Sequence, residues 1–150
     1  MAREATRITQ IATLPRPLVF TNGVFDILHR GHVTYLDHAR QLGASLVVGI
    51  NGDASARRLG KGDDRPVNPL EDRIAVLAAL ESVTLAIAFE QDTPLDLVLE
   101  CHPDIIVKGS DYSAAATVGA AEVIAWGGRF EAIPLLPGRS TSALLARLRR

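Results

Sequence analysis

The chain has 150 residues, and its balance of 47% hydrophobic to 22% charged is that of a globular domain able to bury a core without disulfides or a structural metal. A net charge of -1 excludes a general basic field for nonspecific nucleic-acid binding, and the single cysteine, Cys101, excludes an intrachain disulfide. No segment reads as a signal peptide or membrane span, so the expected setting is the cytoplasm, with no nucleic-acid or membrane partner.

In chain order, residues 1–17 read as a short lead-in. A strand follows over 18–22 (LVFTN), then a helix over 31–42 with Val33, Leu36, Ala39 and Leu42 in one apolar stripe and Gly43 as its stop. The next strand, 45–51 (SLVVGIN), leads into the longest irregular connection, 53–68 (DASARRLGKGDDRPVN), a length that is usually functional or mobile in a compact domain. Helix 69–82, strand 84–89, helix 94–101, strand 104–108, helix 117–126, strand 129–135 and helix 141–149 complete the pattern. Strands apolar on both faces, alternating with helices, predict one α/β domain over residues 1–150. Its architecture is a doubly wound, parallel, five-stranded sheet with helices on both faces, Rossmann-like in outline.

The turn after the first strand, FTNGVFDILHRGH (Phe20–His32), falls where open parallel sheets bind ligands. Gly23 would let the chain bend, and Gly31 would let a ligand approach the backbone at the helix start, whose unpaired N–H groups favour an anion. His29 and His32, three apart, share a face if the helix has begun by His29. A helix N-terminus disfavours an imidazolium by roughly 0.3–1 kcal/mol, so the pair makes better sense opposite a polyphosphate. Two other readings of these residues are a transition-metal site formed by Asp26, His29 and His32, and ordinary packed histidines. The G-x-G-x-x-G spacing of a dinucleotide site is missing. The cluster Arg57, Arg58, Lys61, Arg65 and Arg73, interleaved with acids, reads alone as either a solvated loop or a phosphate-facing one.

GVFDILHRGH (Gly23–His32) resembles the G-x-F-D-x-x-H-x-G-H signature of the cytidylyltransferase-like nucleotidyltransferases. GINGDAS (Gly49–Ser55), RPVN with EDR (Arg65–Arg73), AALESV (Ala78–Val83), EQDTPL (Glu90–Leu95), VKGSDY (Val107–Tyr112) and RSTS (Arg139–Ser142) are similar to the heptose 1-phosphate adenylyltransferase branch of that family. The resemblance implies in-line attack of a sugar 1-phosphate (D-glycero-β-D-manno-heptose 1-phosphate) on the α-phosphorus of ATP, with Mg²⁺ and no covalent intermediate. Such a reaction asks the protein mainly for positioning and charge stabilisation.

By match to the family motif, His29 and His32 would donate to phosphate oxygens, the backbone of Gly23, Val24 and Phe25 would cradle the triphosphate, and Lys61 would contact phosphate from a lid-like loop. Asp26 would orient the motif or anchor Mg²⁺, directly or through water, or else only cap the helix. Arg139, Ser140, Thr141 and Ser142 would meet the nucleotide phosphates at the last helix start. Asp53, Arg73, Lys108 and Asp111 are candidate substrate contacts, Arg73 because an arginine near a helix start calls for a phosphate or carboxylate partner.

Two departures bear on the substrate. Glycerol 3-phosphate cytidylyltransferases carry R-T-x-G-I-S-T-T before the last helix, where this chain reads LLPGRSTS (Leu135–Ser142), and Gly109-Ser110 stands where the heptose branch more often has two glycines. The alternatives are a CTP-dependent cytidylyltransferase acting on a polyol phosphate and a non-catalytic nucleotide-binding subunit. The resemblance also implies a homodimer and a separate sugar kinase upstream. His38 and His102 carry no expected function.

Overall fold

The computed structural model describes residues 2–150, with side chains from residue 7 onward. The strands are β1 (Leu18–Gly23), β2 (Ser45–Asn51), β3 (Leu85–Phe89), β4 (Ile105–Gly109) and β5 (Arg129–Ile133). The helices are α1 (Ala2–Ala12), α2 (Arg30–Gln41), α3 (Asp53–Arg58), α4 (Leu70–Ala78), α5 (Leu95–Cys101), α6 (Ala120–Ala125) and α7 (Thr141–Leu148). All strand pairings are parallel, in the spatial order β3-β2-β1-β4-β5, which is the doubly wound sheet expected from the alternation.

The order reverses between β1 and β4, which opens a crevice beyond their carboxyl ends. Pairing deepens that crevice. β1 is in register with β2 along its whole length, from Leu18↔Ser45 to Gly23↔Ile50, but meets β4 only at Val19↔Ile105 and Phe20↔Ile106. Past Phe20, β1 and β4 are no longer paired.

Period-two alternation sends the strand side chains into two cores. Leu18, Phe20, Val47, Ile87 and Ile106 pack with Leu97 and Val98 of α5 and Ala120 and Val123 of α6. Val19, Leu46, Val48, Ile105 and Val107 pack with Leu36 and Ala39 of α2 and Leu77 of α4. Fully burying a side chain such as Phe20 or Leu36 contributes about 1.5–3 kcal/mol, so both helical layers are held by ordinary apolar contact.

The fold departs from the sequence expectation in several places, among them α4, which ends at Ala78 and not at 82, and α6, which starts at Ala120 and not at 117. The lead-in contains a helix, α1, fixed by buried Ile11 and by Arg7 Nη2 donating to Glu100 of α5 at 2.5 Å. Its polar sequence concealed it, and of its two isoleucines only Ile11 is buried, Ile8 being exposed. The stretch expected to be irregular begins with α3, whose six residues are too few to display a period. It is pinned by Asn51 Nδ2 donating to Ser55 Oγ, and by Ser55 Oγ donating to the Gln91 carbonyl at 2.7 Å. Finally, β5 stops at Ile133, two residues early, which frees Leu135 and Leu136 to line the crevice.

Candidate active site

The turn between β1 and α2 is built around Phe25, the residue in the left-handed region with φ of 50°. A non-glycine residue there is strained, at a cost on the order of 1–3 kcal/mol, and persists only when packing over-determines it. The ring is buried and meets the His32 ring edge-on, with centroids 5.4 Å apart. Gly23 was expected to supply the bend. Instead it clears space for that ring, because a Cβ on Gly23 would lie 3.0 Å from Phe25 Cε2.

α2 begins at Arg30, so His29 is its N-cap and not a residue of the first turn. His29 Nδ1 accepts from the Gly31 N–H at 3.0 Å, and His32 Nδ1 accepts from the His29 N–H at 3.3 Å. The two rings stack with centroids 3.8 Å apart and planes 27° apart. Burial, then the neighbouring His29 and Lys61, push the His32 pKa down to about 4. Burial, then Arg139, also lower His29. Both rings are therefore neutral near pH 7. A Cβ on Gly31 would sit 2.8 Å from His29 Cε1 and 3.0 Å from Arg139 Cβ. The glycine is thus required first by the imidazole.

Asp26 is turned away from α2 and bonds to the loop after α3. Its Oδ1 accepts from the Val67 and Asn68 N–H groups, each at 2.9 Å, and its Oδ2 from Arg65 Nε at 2.9 Å and the Val67 N–H at 2.8 Å. With its oxygens committed and its side chain 1% exposed, it is a clasp on the loop after α3. It neither caps α2 nor keeps an oxygen for a metal. Burial pushes its pKa up, but the Asn68 and Val67 N–H groups and Arg65 together outweigh burial and hold it below the ordinary value. The transition-metal reading of Asp26, His29 and His32 loses its carboxylate for the same reason. Among the described residues no group of three or more His, Cys, Asp or Glu could hold a metal ion.

The clasped loop contributes exposed Lys61 and buried Arg65 to one wall of the crevice. The end of β4 forms the opposite wall. There Lys108 Nζ donates to the Asn22 carbonyl at 3.1 Å and lies 5.5 Å from the centre of the Tyr112 ring. Burial drives the Lys108 pKa down to about 8, with Asp111 opposing and Lys61 assisting. One acceptor leaves a half-buried ammonium with unused N–H bonds, which an anion would satisfy. Tyr35 shares a 2.8 Å hydrogen bond with Thr21 and is pushed up to about 12, chiefly by burial.

The third wall is the start of α7. Ser140 is its N-cap, its Oγ accepting from the Ala143 N–H at 3.0 Å, and Thr141 Oγ1 donates to the Ile27 carbonyl at 3.1 Å. That bond ties α7 to the turn before α2, so Arg139 and Ser140–Ser142 face the histidine pair across one crevice.

The crevice brings together His29, His32, Lys61, Gly23, Val24, Phe25, Asp26, Gly31, Lys108, Asp111, Arg139, Ser140, Thr141 and Ser142. It does not include Asp53 or Arg73. The Arg73 side chain is 0% exposed and donates to the carbonyls of Asn68, Val24 and Asn51 and to Asp53 Oδ1. The carboxylate partner expected for Arg73 is real, but it is internal, and neither residue lines the crevice. Sequence reasoning missed Asn22, Tyr35, Leu135 and Leu136 as lining residues. Tyr35 had a signal, since it follows His32 by three on the same helix.

Two helix starts, two imidazoles and four cationic side chains, Lys61, Arg65, Lys108 and Arg139, line a crevice at a switch point. Such a site receives a polyphosphate and stabilises its displacement. Fold and site together define a Rossmann-type nucleotidyltransferase. Residues 20–130 match the model of the cytidylyltransferase-like family, and the chain belongs to that family.

A protein of Bordetella bronchiseptica named D-beta-D-heptose 1-phosphate adenylyltransferase is 61% identical over 91% of this chain and 85% of its own length. The bifunctional protein HldE of Magnetococcus marinus is 53% identical over 87% of this chain, which spans 27% of that longer protein. Among solved structures, the lipopolysaccharide core biosynthesis protein of Thermoplasma volcanium aligns with a TM-score of 0.65 and 32% identity, over 79% of this chain and 95% of that one. Pantothenate synthetase of Thermus thermophilus, at 20% identity, 85% and 59% coverage and a TM-score of 0.59, shares the fold.

No helix among the described residues is long and apolar enough to cross a membrane.

Proposed function

We propose that the 150 residues act as one nucleotidyltransferase domain that transfers the adenylyl group of ATP to D-glycero-β-D-manno-heptose 1-phosphate, giving ADP-heptose and pyrophosphate. An oxygen of the sugar 1-phosphate attacks the α-phosphorus and forms the new P–O bond. The bond from the α-phosphorus to the bridging oxygen breaks, and its electron pair leaves with pyrophosphate. The stacked histidine pair at the start of α2, facing the start of α7, is the observation that carries this reading.

In this reading the Nε2–H groups of His29 and His32 stabilise charge on the α- and β-phosphate oxygens, worth ~10²–10³ in rate for one such donor. The backbone of Val24 and Phe25 and the α7 start, with Arg139 and Ser140–Ser142, cradle the triphosphate. Lys61 closes on it from the loop. Lys108 and Asp111 hold the acceptor, the lysine through its unused N–H bonds. The 61% identity to the Bordetella protein supports heptose 1-phosphate as acceptor.

With Asp26 committed, Asp111 is the one carboxylate of the crevice not tied into the fold, and this donor set suits Mg²⁺ arriving on the phosphates. The chemistry a bound Mg²⁺ supplies is neutralisation of charge on the leaving pyrophosphate. The family resemblance adds a cytoplasmic homodimer, with a separate sugar kinase making the acceptor.

Pyrophosphate release tests the reading. It is expected with ATP, heptose 1-phosphate and Mg²⁺ together, and with no pair of the three. Release with CTP and glycerol 3-phosphate in place of ATP and the heptose would overturn it.

A further inference from the structure

His29 and His32 have four ring nitrogens between them, and backbone N–H groups occupy two. Gly31 donates to Nδ1 of His29 at 3.0 Å, and His29 donates through its own N–H to Nδ1 of His32 at 3.3 Å. A ring nitrogen that accepts a hydrogen bond carries no proton, so in a neutral imidazole the proton is on the other nitrogen. We infer that His29 and His32 meet the substrate as two neutral Nε2–H donors whose tautomer is set by the N-cap of α2, the same two rings starting the helix and serving the reaction.

The surroundings agree. Protonating either ring would put a hydrogen on Nδ1 against a backbone N–H and undo the cap. Doing so to both would place two cations face to face at 3.8 Å. The charged groups around the pair are Arg139 and Lys61 close by, and Arg65, Lys108 and Asp111 across the crevice. The carboxylate of their own turn, Asp26, is turned to the loop clasp and unavailable as an imidazolium partner. Neutral donors need no proton taken up before reaction, and the cap aims them before substrate arrives.

This inference rests on the proposed transfer only in naming phosphate as what the donors meet. Its test separates the two ring nitrogens. Asparagine reproduces an acceptor at the Nδ1 position and is a good N-cap, but it does not extend to Nε2. In long-range ¹H–¹⁵N spectra of the substrate-free full chain at pH 7.5, with the two rings assigned by loss of signal in H29N and H32N, both should show a bare Nδ1 and a protonated Nε2. A proton on Nδ1 of either ring, or an imidazolium, overturns the inference.

In melting experiments H29N should match the parent chain, while H29A falls by roughly 2–4 °C, the scale of one lost N-cap in a domain of this size. H29N melting as low as H29A overturns it too. In the pyrophosphate assay H29N and H29A should both lose ~10²-fold or more; full turnover by H29N would show that Nε2 does nothing. The first two arms use no substrate, so their failure removes the tautomer assignment and leaves the transfer reading standing. A parent chain with both Nε2–H rings in place and no pyrophosphate release removes the transfer reading instead, and with it phosphate as the donors' partner.

Discussion

Arg73 Nη2 donates to Asp53 Oδ1 at 2.7 Å from a side chain with no exposed surface. The same guanidinium holds the Asn51 carbonyl at 2.7 Å, the Val24 carbonyl at 2.9 Å and the Asn68 carbonyl at 3.0 Å. One buried cation therefore joins the end of β2, the turn that precedes the histidine pair, and the clasped loop. A planar fork with five N–H bonds can satisfy this set, and an ammonium cannot.

Arg73→Leu is expected to destabilise by about 3–5 kcal/mol, because three carbonyls and a carboxylate lose their donor inside the fold. Arg73→Lys should recover little of that. Denaturant unfolding checks both; a loss under 1 kcal/mol for the leucine variant would place the guanidinium outside the fold's supports.

Asp26→Asn should loosen the loop that carries Lys61, raising its susceptibility to limited proteolysis between Leu59 and Pro69. The pH dependence has a definite sign. The folded-state pKa lies below the ordinary 3.8, so the carboxylate's contribution is present above that value and is lost as pH falls through the lowered one. The parent chain should therefore lose its advantage over Asp26→Asn as pH drops below about 4. Melting curves from pH 3 to 7 read this directly; a gap that does not narrow in acid would contradict the clasp.

Lys61→Ala should leave the melting temperature within about 1 °C of the parent, since an exposed surface side chain seldom contributes more than ~0.5 kcal/mol. Turnover should fall, with the loss concentrated in the nucleotide-dependent terms. Equal loss of stability and activity would make Lys61 a structural residue.

Gly31→Ala places a methyl 2.8 Å from His29 Cε1. The ring must turn away, taking its Nε2 with it, so turnover is expected to fall at least ~10-fold while α2 persists, because alanine favours helix by about 1 kcal/mol over glycine. Circular dichroism and pyrophosphate release measured on one preparation separate these effects. Unchanged turnover would mean that the His29 position is not critical.

Local pattern carried far in this molecule. The two-faced apolar strands from Leu18 to Ile133 fixed a parallel sheet, because period-two burial on both faces leaves helices as the only cover. Gly23–His32 located the site, since the spacing of glycines and histidines is local and a helix start is local too. Elements shorter than two turns, such as α3, left no periodic trace, whereas α1 carries a helical period on a stretch that is polar on average.

By itself the sequence determined the layered α/β fold, the position of the crevice, and the histidine, lysine and hydroxyl residues that line it. What only the tertiary structure decided was the use of each charge. Lys61 and Arg73 stand twelve apart in one basic cluster, yet one faces the crevice and the other is a buried tie. Asp26 sits inside the motif but serves the loop that begins beyond α3. The physical reason is distance along the chain. The partners of Asp26 and Arg73 are up to 42 and 49 residues away, and a charge is spent on whichever buried group the fold brings to it.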